Sequence, residues 1–374
     1  MSTQPPPARI GDTVDQVDTP ALLVDLDAFE RNLDRMQAMA DAAGVDLRPH
    51  AKTHKSVDVA RAQMVRGAAG QCCQKVSEAE VLVHGGIDNV LVSNQIAGDA
   101  KLSRLARLAR RATVGVCVDD AGNIADLSRH ALAAGVQLRV YLEIDVGMGR
   151  CGVPADAAAV ALCRQVIDAP GLAFAGIQAY HGKAQHIRGA GERAGAIRHA
   201  AAIVRTMLDL LSAAGIACPS VTGAGTGTAQ FEADSGLWTE LQAGSYAFMD
   251  ADYARNLGPD GDPDTRFEHS LFLLATIMST ARKGTAICDV GLKSTSFESG
   301  LTLVADLPGV PYAGPSDEHG TLVVDAGQSV SLGQKLRLIP GHCDPTINLH
   351  DWYVGCRDGI VERIWPVSAR GAFF

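Results

Sequence analysis

Several things this 374-residue chain lacks narrow its function before any motif is considered. It has no run of about 20 consecutive apolar residues, so no membrane span is expected. It has no excess of positive charge: 33 Lys and Arg stand against 42 Asp and Glu, a net −9. A nucleic-acid binder would show a basic patch or stripe, so that class is not expected. The opening MSTQPPPARIGDTV is polar and Pro-rich and lacks the charged-then-apolar layout of a secretion signal; it reads as a flexible tail over residues 1–17. Nine cysteines, single apart from Cys72-Cys73, cannot all pair, so reduced thiols in a cytoplasmic protein are expected, most of them small core residues. No internal repeat, long linker or low-complexity segment follows the tail.

What remains is an ordinary globular balance, 47% hydrophobic and 20% charged. After ALLVDL (21–26) and a helix over 27–43, eight β-like runs follow: VDLRPHA (45–51), GQCCQKV (70–76), NVLVSN (89–94), TVGVCV (113–118), QLRVYLEID (137–145), LAFAGIQAY (172–180), PSVTGAG (219–225) and ELQAGSYAF (240–248). Helical patterns with apolar spacings of three and four, such as 98–111 and 156–167, separate most of them. This is the pattern of an α/β (β/α)8 TIM barrel over residues 18–265, with 21–26 outside the barrel count and available to a second domain. From about Arg266 short β-like runs broken by Gly and Pro take over, which predicts a C-terminal antiparallel β domain over 266–374.

Active sites of such barrels lie at the C-terminal ends of the strands. Those ends read RPHAKTHKS, Asn94, EIDVGMGRCG, QAYHGKAQH, GAGTGT and AGSYAFMD. The Gly-rich turns at 223–228 and 244–246 follow the last two strands, where this barrel usually grips phosphate; a tight turn is the plain alternative. A phosphate grip with a lysine after the first strand points to pyridoxal phosphate bound through that amine. Lys52 and Lys55 are the candidates, and Lys52 follows the apolar run directly.

DTPALLVDLDAFERNL, RPHAKTHKS, EIDVGMGRCGV, the GTGT loop and QAGSYAFMD together resemble the fold-type III pyridoxal-phosphate enzymes, from Asp18 to the end of the chain. That group includes alanine racemases, eukaryotic-type D-serine dehydratases and D-threonine aldolases. The resemblance implies an alanine-racemase-like barrel packed on a β domain, with Lys52 as the Schiff-base lysine. It places Arg150 near the cofactor ring, Tyr180 or His181 packed beside it, and Gly225, Thr226, Gly227, Gly244, Ser245 and Tyr246 around the phosphate. Gln74 and Asn94 are further candidates for cofactor contact, and a homodimer is implied.

The branch within the family turns on PGHCDPTINLHDWY (340–353). Read alone, His342-Cys343-Asp344 is either a hydrogen-bonded turn or two ligands of a metal ion. Cys343, in an extended segment, would point away from both neighbours. Alanine racemases have no metal pair here, and the D-serine dehydratase branch carries His-x-Cys, a softer pair suited to zinc. His-x-Asp suits a harder ion, Mn²⁺ before Mg²⁺, and is similar to the D-threonine aldolases.

The activity implied is retro-aldol cleavage of D-threonine and related D-β-hydroxy-α-amino acids to glycine and an aldehyde. His186 is the expected base, with a metal-held hydroxide as rival. The alternatives are elimination by a D-serine or D-threo-3-hydroxyaspartate dehydratase and, against the long β domain, a non-catalytic cofactor carrier. Ser316–Gly320 could line the entrance, touch a partner or form a solvated loop, and no role is assigned to His50.

Overall fold

The computed structural model describes residues 4–374; residues 1–3 lie outside it. Strand β1 (Ala21–Asp25) runs directly into a helix over Leu26–Ala43. Asp25 caps that helix by accepting from the Ala28 amide at 3.0 Å, and Gly44 ends it in the left-handed region at φ 66°. Its Phe29, Leu33, Met36 and Ala40, spaced by three or four, are buried.

Eight parallel strands follow: β2 (Asp46–Leu47), β3 (Gln71–Cys73), β4 (Asn89–Gln95), β5 (Thr113–Val118), β6 (Leu138–Glu143), β7 (Leu172–Ala179), β8 (Val221–Gly223) and β9 (Glu240–Leu241). They pair in the order β2-β9-β8-β7-β6-β5-β4-β3, and a parallel bridge between His50 and Cys72 joins the two ends. This is the (β/α)8 barrel that the strand pattern predicts. Alternation along the strands sorts their side chains. Val90, Val92, Val114, Val116 and Val140 join the main core, whereas Cys72, Leu91, Cys117, Tyr141 and Ala175, one from each of β3 to β7, form a separate cluster inside the ring.

Six of the eight expected strands are shorter than their apolar runs, the first and last of the eight most of all. Pro49 has no N–H to give the ladder, so β2 stops at Leu47, although Arg48 and His50 still donate to Leu241 and Ala243 at 2.8 and 3.1 Å. The run 240–248 leaves the sheet after Leu241 and closes a 3-10 turn over Ser245–Ala247.

The second sheet contains β10 (Leu271–Arg282), β11 (Thr285–Cys288), β12 (Leu303–Val304), β13 (Tyr312–Pro315), β14 (Gly320–Val323), β15 (Lys335–Ile339), β16 (Trp352–Arg357) and β17 (Ile360–Pro366). Its central order is β13-β14-β11-β10-β1-β16-β17, with β15 pairing β10 and β12. The N-terminal strand thus sits in the middle of the C-terminal sheet, antiparallel to β10 and parallel to β16. The sheet is therefore mixed at that one pair.

The segment ahead of β1, expected to be a flexible tail, packs on this sheet wherever it is described beyond its first residues. Gly11 and Val14 donate to Val361 and Gly359 at 2.9 and 3.0 Å, and Ala8 and Val17 are buried beside Leu23 and Phe272. Two short apolar side chains and an edge of unpaired backbone are enough to hold it. No described helix is long and apolar enough to cross a membrane. All nine cysteines are free, seven of them buried.

Candidate active site

A cavity of about 550 Å³ opens at the C-terminal ends of the barrel strands, a size suited to a cofactor with its substrate. Its floor is polar and tied across strands. Gln178 and Gln242 exchange amide hydrogen bonds at 3.1 and 2.8 Å, and the His50 ring meets Ser93 Oγ and Gln74 Nε2, each at 3.1 Å. Burial, reinforced by the nearby Lys52 cation, pushes His50 well below the usual histidine range, so it is a neutral hydrogen-bonding ring. His50 is a site residue that sequence reasoning passed over, because its partners lie 24 and 43 positions away.

Lys52 lines this cavity and Lys55 does not. Lys55 is committed elsewhere, in a buried ion pair with Glu78 at 2.6 Å. Breaking such a pair costs about 3–5 kcal/mol, which leaves Lys52 as the available amine. The Lys52 amine pairs with the Asp344 carboxylate. Burial favours the neutral amine, but Asp344 outweighs it and raises the Lys52 pKa, so the free amine is stored as an ammonium. The amine becomes nucleophilic only once that partner is drawn away.

Asp344 shows the reciprocal effect. Burial would raise it, yet Lys52 and His342 carry it down to about 2. Its Oδ1 is buried without a hydrogen bond and lies 3.8 Å from His342 Nε2. The other ring nitrogen, Nδ1, is taken by Glu298. An unpartnered carboxylate oxygen beside an imidazole turned by a carboxylate behind it is a donor arrangement that fits a divalent cation. Among the described residues no group of three or more His, Cys, Asp or Glu side chains is placed to hold a metal, so an ion here would rest on this pair.

Cys343 is excluded from the pair, though not by an extended strand. His342 is extended, and Cys343–Ile347 forms a short helix that turns the thiol inward, where it donates to Met249 O at 3.2 Å. Burial raises that thiol far above its usual range, so it is an inert core group.

On the opposite wall, Gly225, Thr226, Gly244 and Ser245 line the cavity, and their amides make no backbone hydrogen bond among the described residues. Ala224 is held at φ 70°, a left-handed conformation that costs a non-glycine residue roughly 1–2 kcal/mol. This cradle fits a phosphate.

Tyr180 and Arg150 line the rim, the guanidinium 5.8 Å from the ring centroid. Gln74 and His186 are also on the wall. Asn94, His181, Gly227 and Tyr246 are not. Asn94 donates to Gln74 O at 3.1 Å, His181 packs against Gly147, Gly227 donates to Gln185 Oε1, and the Tyr246 hydroxyl meets Gln63 behind the cradle. Sequence reasoning also missed Lys75, Met148, Lys183 and Tyr253 on the wall. Ser316–Gly320 lies outside it, with Glu318 paired to Lys293 at 2.8 Å.

His186 carries its Nδ1 2.5 Å from Asp252 Oδ2, and its ring packs 5.4 Å from Tyr253. Asp252, which no motif flagged, is gripped by Arg188 at 2.5 Å. Burial raises Asp252, but Arg188 and then His186 outweigh it and keep it below the usual carboxylate range.

A closed parallel barrel with a lysine and an amide cradle at its mouth, backed by a mainly antiparallel sheet, defines a fold-type III pyridoxal-phosphate enzyme. The chain belongs to the family described as alanine racemase, N-terminal domain, which matches residues 24–252, and a putative serine dehydratase domain matches residues 270–356. It is 52% identical to a D-threonine aldolase of Arthrobacter sp. over 98% of this chain and 96% of that one. It is 49% identical to a 3-hydroxy-D-aspartate aldolase of Paracoccus denitrificans over 98% of this chain and 95% of the relative. The crystal structure of D-threonine aldolase from Filomicrobium marinum superposes with a TM-score of 0.96 at 50% identity, covering 98% of this chain and 100% of that one.

Proposed function

We propose that this protein is a carbon–carbon lyase that cleaves D-threonine and related D-β-hydroxy-α-amino acids into glycine and an aldehyde, using pyridoxal phosphate and a divalent ion. What supports the reading is convergence: the Lys52 amine and the Asp252-tied His186 line one cavity, and the His342–Asp344 pair adjoins it through the contact of Asp344 with Lys52. When bound, the cofactor supplies a sink for the electron pair released at Cα, and the ion supplies a Lewis acid that lowers a hydroxyl pKa.

Lys52 would hold the cofactor covalently, with its phosphate on the amides of Gly225, Thr226, Gly244 and Ser245. His342 and Asp344 would hold the ion, and a hard carboxylate oxygen in the pair favours Mn²⁺ or Mg²⁺ over a softer ion. Arg150 and Lys183, both exposed on the wall, attract the substrate carboxylate. His186 Nε2 accepts the proton of the substrate β-hydroxyl: the O–H bond breaks, an N–H bond forms, and the oxygen becomes the aldehyde carbonyl as Cα–Cβ opens. The enzyme works in this reading as a cytoplasmic homodimer.

The serine-dehydratase match over 270–356 supports a second reading, loss of the β-hydroxyl as water. Incubation with D-threonine, L-threonine and D-threo-3-hydroxyaspartate, with and without a chelator, separates the two. Glycine plus aldehyde from the D-substrates, lost on chelation and restored by Mn²⁺, is the expected result. A keto acid plus ammonia as the main products would replace the aldolase reading with the dehydratase one.

A further inference from the structure

Asp252 has so far no role in the reaction, and its setting gives it one. It lies just past the last barrel strand, its side chain only 8% exposed. Oδ2 accepts from His186 Nδ1, and Oδ1 accepts from Arg188 Nη2, each at 2.5 Å. Arg188 is itself fixed by Nη1 contacts to the Asp252 carbonyl at 2.7 Å and to Asn256 Oδ1 at 2.9 Å. Arg255, 3.8 Å away, adds a second cation, and Glu298 is the other carboxylate that senses Asp252. With cations on that side the carboxylate stays ionised, and an ionised carboxylate only accepts. The hydrogen of the neutral imidazole is therefore on Nδ1, and Nε2 is left with its lone pair.

The backbone around Asp252 also seats the ion pair of donors. Ala251 and Asp252 donate to Pro340 and Gly341 at 3.0 and 3.2 Å, and the Cys343 amide donates to Asp250 Oδ2 at 3.0 Å. One short segment thus fixes the height of the imidazole relative to His342 and Asp344.

We propose that Asp252, braced by Arg188, is the positioning residue that holds His186 in its Nδ1–H tautomer and aims Nε2 at the substrate hydroxyl. This rests on the reading of His186 as the base. An amide at this position would offer Nδ1 an N–H and drive the hydrogen to Nε2, whereas a longer carboxylate would keep the tautomer at the cost of aim.

The test is made on the full-length holoenzyme with ¹⁵N-labelled histidine, the His186 signals being assigned from their absence in His186→Gln. In Asp252→Asn, His186 is expected to switch from the Nδ1–H to the Nε2–H pattern. Its kcat should fall about 10²-fold or more, the usual contribution of a general base, with KM changed less than about threefold. Asp252→Glu, which also guards against a folding defect in the amide variant, should keep the tautomer and recover part of kcat. The double variant Asp252→Asn/His186→Gln should be no slower than His186→Gln alone, because the two residues act as a unit. An unchanged tautomer in Asp252→Asn, or losses that multiply in the double variant, would overturn the proposal. A switched tautomer with full activity in His186→Gln upholds the orienting contact and removes His186 as the base.

Discussion

Glu232 is buried behind the Gly-rich loop that ends at Thr228, where Oε1 accepts from Thr228 Oγ1 at 2.8 Å and Oε2 meets no partner. Burial raises its pKa to about 7 against an ordinary 4.5. The folded protein therefore binds a proton that the unfolded chain has already lost between those values, so this group's contribution to stability is greatest below about 4.5 and declines as pH rises toward 7. The loss is on the order of 3 kcal/mol at most. Glu232→Gln should flatten that limb, raising Tm relative to the parent at pH 8 but not at pH 4; parallel Tm curves for the two proteins would refute the assignment. At the same scale, His342→Ala and Asp344→Ala should weaken Mn²⁺ binding at least about tenfold by titration calorimetry, given what orienting and ligating groups contribute, while the visible absorbance of bound cofactor persists. Cys343→Ser, with its side chain turned to Met249, should leave the ion affinity within about twofold, since it touches neither donor. Reactive side chains at strand ends were legible one by one in the sequence. Their partners were not, because Asp252 and His50 gain meaning only from residues that folding brings to them from tens of positions away.

Among the elements, the loop after β8 is the most exacting. A Cβ on Gly225 would lie 2.6 Å from Gln185 Oε1, the atom that also receives the Gly227 amide at 3.0 Å. Gly225→Ala must therefore push Gln185 or the loop, a packing strain of about 1–3 kcal/mol. Cofactor dissociation should rise roughly 5- to 100-fold by the same measure, and fluorescence titration with pyridoxal phosphate reads it; affinity within twofold of the parent would mean that the loop is not the cradle. The eight barrel strands were legible because parallel strands flanked by helices read as apolar runs at regular intervals. The turn at Ser245–Ala247 was not, since an apolar run such as ELQAGSYAF cannot reveal whether Gly244 continues the strand or ends it. The reading of 342–344 as extended failed for a related reason. Its end is set by the Cys343 amide finding Asp250, a contact spanning 93 residues.

At the scale of the whole molecule, the chain's first strand completes its last domain: Ala21 to Val24 pair with Leu274 to Leu271 on one side, and Leu22 to Asp25 with Tyr353 to Cys356 on the other. Such separations in sequence delay folding, because the loop must close before the pairing rewards it. A fragment of residues 266–374 should therefore show no cooperative calorimetric transition alone and regain one when a peptide of residues 4–44 is added; a cooperative transition in the fragment by itself would refute this. The sequence allowed the early strand to leave the barrel, but only the ladder shows it at the centre of the other sheet. The short stretch from Met249 to Asp252 joins the two domains at the mouth, receiving Cys343 and binding His186 within four residues. Change is therefore unequally tolerated around the opening. Under the proposed chemistry the side built from that stretch has to stay fixed to keep its alignment, and Arg150 and Lys183 have a carboxylate to attract, whereas Met148 on the same wall can be redrawn. A library meant to alter which aldehyde leaves belongs at that position.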